Sequence, residues 1–244
     1  MTAIYGLSVR QLAGKWRLLI LLALCAAPFA LAAAAGSANP PPAPSHVDDV
    51  LLDGLWASAV LPIVALTVAT AAFGNELSDK TLANLMLTPL PYWRIALPKL
   101  LAAITVGAPA LMAGTFGSVL LVFRLVPLPG AGHAATAAAL AMGVGMVLYS
   151  TVFLWAGLVT SHPLALGLLY VFVWEGLFGT FVNGIKYLSI RQYTLGVLKA
   201  LDGSRFVGSD RHVLGSTAAI AGALVVAVGF GLLVLRRLRR MDVP

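Results

Sequence analysis

The sequence predicts an all-α membrane protein with six transmembrane helices, and three observations predict it. Of its 244 residues, 60% are hydrophobic and 10% charged, where a soluble domain carries roughly 25% charged residues. The apolar residues gather in charge-free intervals, several of which reach the roughly 20 residues that a helix needs to cross the hydrocarbon core. The lysines and arginines stand between those intervals and are unequally shared between the two sides. The same arithmetic excludes a disulfide scaffold, because Cys25 is the single cysteine and lies in an apolar run. A net charge of +7 on such a chain marks cytoplasmic loops and predicts no nucleic-acid partner.

Residues 3–17, AIYGLSVRQLAGKWR, place Ile4, Leu7, Leu12 and Trp16 on one broad side of a helix and Arg10 and Arg17 on the other. Ser8 and Lys15 interrupt the apolar side, yet the pattern suits a helix lying in the membrane interface. The first span is 18–36, ended by a proline-rich linker at 37–46 that is extended and solvent-facing. Basic residues, an apolar core and alanines before Gly36 also fit a signal peptide. Its removal leaves five spans and carries the arginine-rich tail to the wrong side, so a membrane anchor is the expectation. The second span is 54–75 and the third 100–123, bracketed by Lys99 and Arg124.

Residues 125–174 carry no Lys, Arg, Asp or Glu and are too long for one span. The break at Thr160-Ser161-His162-Pro163 divides them, since proline disfavours helix in the residue before it and tolerates a new start. The fourth span is therefore 134–159 and the fifth 163–182, with Glu175 inside it. Residues 183–212 recur in Ile185, Leu188 or Ser189, Tyr193 and Val197 near helical spacing, which predicts short outer re-entrant or interfacial helices. They serve as a cap on the bundle or as an outer gate. The sixth span is 213–235, closed by Arg236, Arg237, Arg239 and Arg240.

Six spans return the chain to its starting side. With the N-terminus inside, Arg10, Lys15, Arg17, Lys80, Arg94, Lys99 and the four terminal arginines are inner, while Arg124, Lys186, Arg191, Lys199, Arg205 and Arg211 are outer. That asymmetry puts both termini in the cytoplasm of a multi-pass inner-membrane protein.

The segment 76–98 between the second and third spans carries the sharpest signal. Asn75 is placed to cap a helix with Glu76 and Asp79 in its first turn. Leu77, Leu82, Leu85 and Met86 share one side, and Pro89 and Pro91 stop the helix. A short amphipathic helix at the mouth of a bundle has the shape to seat in a groove on a soluble partner.

Here the chain resembles the permease subunits of the ABC-2 export family. Glu76 matches that family's acidic position after the second span, and Thr81 and Leu82 its Thr-Leu turn. Leu85 and Leu87 match the helix leucines, Pro89 and Pro91 the prolines, Trp93, Arg94 and Ile95 the following cluster, and Lys99 the lysine opening the third span. Lys80, Tyr92 and Pro98 depart from the family's glycine, basic residue and second glycine. The resemblance implies a permease that works with a second permease copy, or a homologous one, and with two ATPase subunits. Glu76, Asp79, Lys80, Thr81, Leu82, Leu85, Met86, Pro89, Pro91 and Arg94 are then the residues of the ATPase-coupling segment. The sequence holds no GxxxxGK[ST] phosphate loop. The resemblance therefore implies that ATP and Mg2+ belong to the partner ATPases and that this chain binds no cofactor and is not itself an enzyme.

His46, His133, His162 and His212 stand singly, and no HExxH, paired-cysteine or clustered-carboxylate spacing marks a metal or hydrolytic site. Glu175 differs, because a carboxyl group at membrane depth faces protein or water rather than lipid. With Asn183 it is the candidate for a helix interface or the translocation path, and Gly176, Gly179 and Gly184 beside it suit close helix approach. The alternative function is an ATP-independent secondary transporter or channel, which predicts an ion-coupled site at broken helices and internal repeats.

Overall fold

The computed structural model describes residues 2–36, 46, 48–78, 91–125, 130–160, 162–178, 187–204 and 213–240. The helices are α1 (Thr2–Leu12), α2 (Lys15–Gly36), α3 (Asp48–Val60) running into α4 (Leu61–Ser78), α5 (Trp93–Leu125) and α6 (Ala131–Val159). They are followed by α7 (Pro163–Leu169) running into α8 (Tyr170–Phe178), then α9 (Ile190–Leu201) and α10 (Ser216–Arg239). Among the described residues, five stretches are long and apolar enough to cross a membrane: Lys15–Ala34, Asp48–Phe73, Trp93–Arg124, Ala131–Val159 and Ser216–Arg239. Pro163–Gly176 is apolar but shorter. The chain is an all-α, multi-pass membrane protein.

Helix α6 is the hub and packs against α4, α5, α9 and α10. Its buried residues, among them Ala134, Ala135, Ala138, Met142, Met146 and Tyr149, cover most of its circumference and leave one stripe through Thr136, Leu140 and Val144 exposed, as expected of a helix packed against several others. Small side chains let backbones approach, which is how helices associate where lipid removes the hydrophobic drive between them. At Gly145 an added Cβ meets Leu61 Cδ2 at 2.6 Å and Thr194 Oγ1 at 2.7 Å, so α4 and α9 both close on α6 at a position that only glycine fits. Buried polar side chains link helices: Trp56 Nε1 on α3 donates to Ser118 Oγ on α5 at 3.0 Å, and Ser118 donates to the Thr115 carbonyl at 3.0 Å. Leu19, Ile20 and Leu22 on α2 and Leu224, Val225 and Val228 on α10 stay exposed, apolar surface suited to lipid.

Several boundaries differ from the sequence expectations. The helix expected over 3–17 ends at Leu12, and α2 restarts at Lys15 after the Ala13-Gly14 turn. α1 packs on α5 through Tyr5, whose hydroxyl donates to Thr105 Oγ1 at 3.2 Å, with Ser8 and Leu12 buried, while Leu7 and Trp16 are exposed. The side facing protein is therefore Tyr5, Ser8 and Leu12, while Leu7 and Trp16 of the apolar stripe face outward. The helix of the second span starts at Asp48 rather than Gly54, because Asp48 and Asp53 are buried in it. Asn75 does not cap a new helix, since α4 continues through it to Ser78 without a break in backbone bonding. Helix α5 starts at Trp93, so 93–98 belong to it and not to the preceding segment. Pro98 is accommodated within its early turns at the loss of one backbone bond.

Candidate functional site

The described residues converge on one buried polar cluster, around Glu175, at the N-terminus of α9. Helix α9 is cut out by its pattern: Ile190, Tyr193, Thr194, Val197 and Leu198 are buried on one side. Ser189 caps it, its side chain accepting from Gln192 N at 3.3 Å. That cap leaves the amides of Ile190 and Arg191 without intrahelical partners. Glu175 Oε1 accepts from Ile190 N at 3.1 Å and from Arg191 N at 3.3 Å. The Tyr170 hydroxyl donates to the same oxygen at 3.1 Å, and the Tyr149 hydroxyl of α6 donates to Oε2. Glu175 is 2% exposed. A carboxyl group seated on the positive end of a helix and receiving two phenols joins α6, α8 and α9 at one point.

Local winding explains why Tyr170 reaches Glu175. Helix α8 has π geometry, in which residues five apart stack on one side, whereas an α-helix turns them well away from each other. Helix α3 has the same geometry, and it puts Asp48 and Asp53, again five apart, on one buried side. Asp53 Oδ1 accepts from Arg191 Nε at 2.5 Å. Burial works against the Arg191 charge, but the hydrogen bond and charge of Asp53 outweigh it and hold the guanidinium above its ordinary pKa. Residues 190 and 191 are thus gripped from two directions, by Glu175 and by Asp53. Breaking a buried pair strands the surviving charge, which costs about 3–5 kcal/mol. Asp53→Asn is therefore expected to lower the thermal midpoint of the detergent-solubilised protein. Asp53→Leu combined with Arg191→Met should lose less than either single change, as read by thermal unfolding in a double-mutant cycle.

Tyr149, Tyr170, Asp53 and Arg191 were not singled out from the sequence as site residues. The signal was the five-residue spacing of Tyr170 and Glu175, invisible to a search at helical period 3.6. Gly176 does not serve close helix approach: it is exposed, and a Cβ there meets only the Val171 carbonyl of its own helix. Asn183, Gly179 and Gly184 lie outside the described residues, as do Asp79, Lys80, Thr81, Leu82, Leu85, Met86 and Pro89. Glu76 falls within α4. Pro91 is exposed, and its carbonyl accepts from Arg94 N at 2.8 Å. The Arg94 guanidinium lies 5.3 Å from the centre of the Trp93 ring, both side chains being exposed.

The profile described as ABC-2 family transporter protein matches residues 14–177, which run from α2 to the last turn of α8 and include the Glu76-to-Lys99 pattern. The chain belongs to the ABC-2 transporter family. No curated protein matches it. As a permease of ABC-type transport it is a membrane component that associates with ABC ATPase partners. The match stops two residues after Glu175, so α9, which completes the cluster, lies beyond it, as does α10.

Proposed function

We propose that this chain is the permease subunit of an ATP-driven exporter, paired with a second permease and with two ATPase subunits that bind ATP and Mg2+. The observation that carries the reading is the family match, which spans the segment between α4 and α5 as well as the helices that flank it. Residues 76–91 are the coupling segment, with Arg94 beside it, and seat against the ATPase. The Glu175 cluster closes the opposite end of the bundle and holds α9 over it. The fifth span in this reading extends α7 and α8 across 163–182, where the described helices of seven and nine residues fall short of a bilayer. Six spans place both termini on the cytoplasmic side of the inner membrane.

The reading is tested by co-expressing the chain with its soluble P-loop ATPase, purifying the complex and measuring ATP hydrolysis in proteoliposomes. Stable co-purification with hydrolysis that responds to the permease is expected. A conformational cycle that runs on an ion gradient without ATP or ATPase would establish the secondary-transporter alternative instead. Topology is checked separately by single-cysteine labelling in a Cys25→Ala background. Asn84→Cys and Arg239→Cys should react from the cytoplasmic side and Ala200→Cys from the outside. Outside-only reaction at 84 or 239 reverses the orientation.

A further inference from the structure

Lys99 is fully buried, yet it is a cation in a bundle of membrane helices. Such a residue is costly to keep and normally marks a functional position with a defined partner. Its Nζ donates to the carbonyl of Ala72 on α4 at 2.6 Å and lies 4.6 Å from the centre of the buried Phe73 ring. A desolvated ammonium over an aromatic face is a favourable contact, strengthened by the short hydrogen bond beside it. Lys99 stands on α5 and its partners on α4, the two helices that enter and leave the segment 79–90.

The neighbouring residues make the position mechanically distinct. Pro98, directly before Lys99, lacks the N–H that would bond to the Arg94 carbonyl, so the first turn of α5 is joined to the rest by one bond fewer. Lys99 is the first residue beyond that weak point, and it is fixed to the neighbouring helix. We propose that Lys99 is a positioning residue that ties the two stems of the coupling segment together, so that force delivered to 79–90 moves α4 and α5 as one. The inference rests on the coupling function proposed above and names the residue through which that coupling reaches the spans. Without the tie, the first turn of α5 yields at Pro98, and displacement of the segment is dissipated there.

The test uses the permease–ATPase complex in proteoliposomes carrying C25A and T217C, Thr217 being an exposed residue at the start of α10, far along the chain from Lys99. Three quantities are read: ATPase retention, ATP hydrolysis, and the ATP-dependent change in maleimide labelling at position 217. K99M should retain the ATPase and hydrolyse ATP, while the labelling change falls about tenfold. K99R keeps a donor for the Ala72 carbonyl and should preserve at least half of the change. F73L removes the ring and leaves the lysine, so it should lower the change to an intermediate level; it also decides the matter if K99M does not insert. A full labelling response in K99M or F73L, or a K99R response as low as that of K99M, overturns the role of Lys99. Failure of the unsubstituted chain to retain the ATPase overturns the coupling function, and this inference with it.

Discussion

Replacing Glu175 with leucine is expected to detach α9 from the bundle and to reduce the yield of correctly assembled permease sharply, whereas glutamine should keep most of it. The carboxyl group receives hydrogen bonds from Tyr149, Tyr170 and the amides of Ile190 and Arg191. Leucine leaves all four donors without this partner, two of them buried and two part-buried, and each buried unpaired group costs about 1–3 kcal/mol, without strict additivity. Glutamine retains a carbonyl oxygen for the Ile190 and Arg191 amides and for Tyr170. Its NH2 group replaces Oε2, and the Tyr149 hydroxyl turns to accept instead of donating. The measurement is the fraction of monodisperse protein in size-exclusion chromatography, with protease sensitivity of 187–204 as the local readout. Equal assembly and equal ATP-dependent conformational response for wild type, E175Q and E175L would remove any role for the cluster.

This cluster also shows how much of the site was legible in the sequence. Glu175 stood out because it is the one acid inside the fifth span, directly after a fifty-residue interval free of charge, and the expectation that it faces protein follows from the cost of a carboxyl group in lipid. Its partners were hidden for physical reasons. Tyr170 lies five residues away, on the far side of an α-helix but stacked with Glu175 once the helix widens to π winding. Ile190 and Arg191 contribute backbone amides, which have no sequence signature beyond the Ser189 cap. Asp53 stood just outside the second span because hydropathy places the span edge at Gly54. Its pairing with Arg191, 138 residues along the chain, lets the helix start at Asp48 instead. The long spans were easier to read, because length and apolarity alone decide them. Their ends were not: 93–98 were read with the segment between spans and Lys15–Arg17 with the interfacial helix, and both belong to the long helices that follow.

The double substitution L85D/M86D is expected to release the ATPase and silence the complex while the permease still inserts. In the proposed coupling segment the spacing of Leu77, Leu82, Leu85 and Met86 gives a helix one apolar side, and an apolar side at the mouth of a bundle is stable when a partner groove covers it. Two carboxylates in that groove are buried without partners, at a penalty of several kcal/mol. A loss of roughly 3 kcal/mol already weakens retention by about two orders of magnitude. Glu76 provides the contrast. It opens the proposed segment within the last turn of α4, so Glu76→Gln should reduce ATPase retention only mildly if its role is local, and strongly if it meets a basic residue of the ATPase. Pull-down of the ATPase by the detergent-solubilised permease measures retention, and ATP hydrolysis in proteoliposomes measures coupling. The labelling pattern at Ala200→Cys confirms insertion in each variant. Full retention and full ATP-dependent response in a correctly inserted L85D/M86D protein would move the ATPase contact away from 76–91. The proposed six-span layout is independent of that result, because five of its spans rest on the length and apolarity of the described helices and the other on the apolar sequence of 163–182, not on what docks between them.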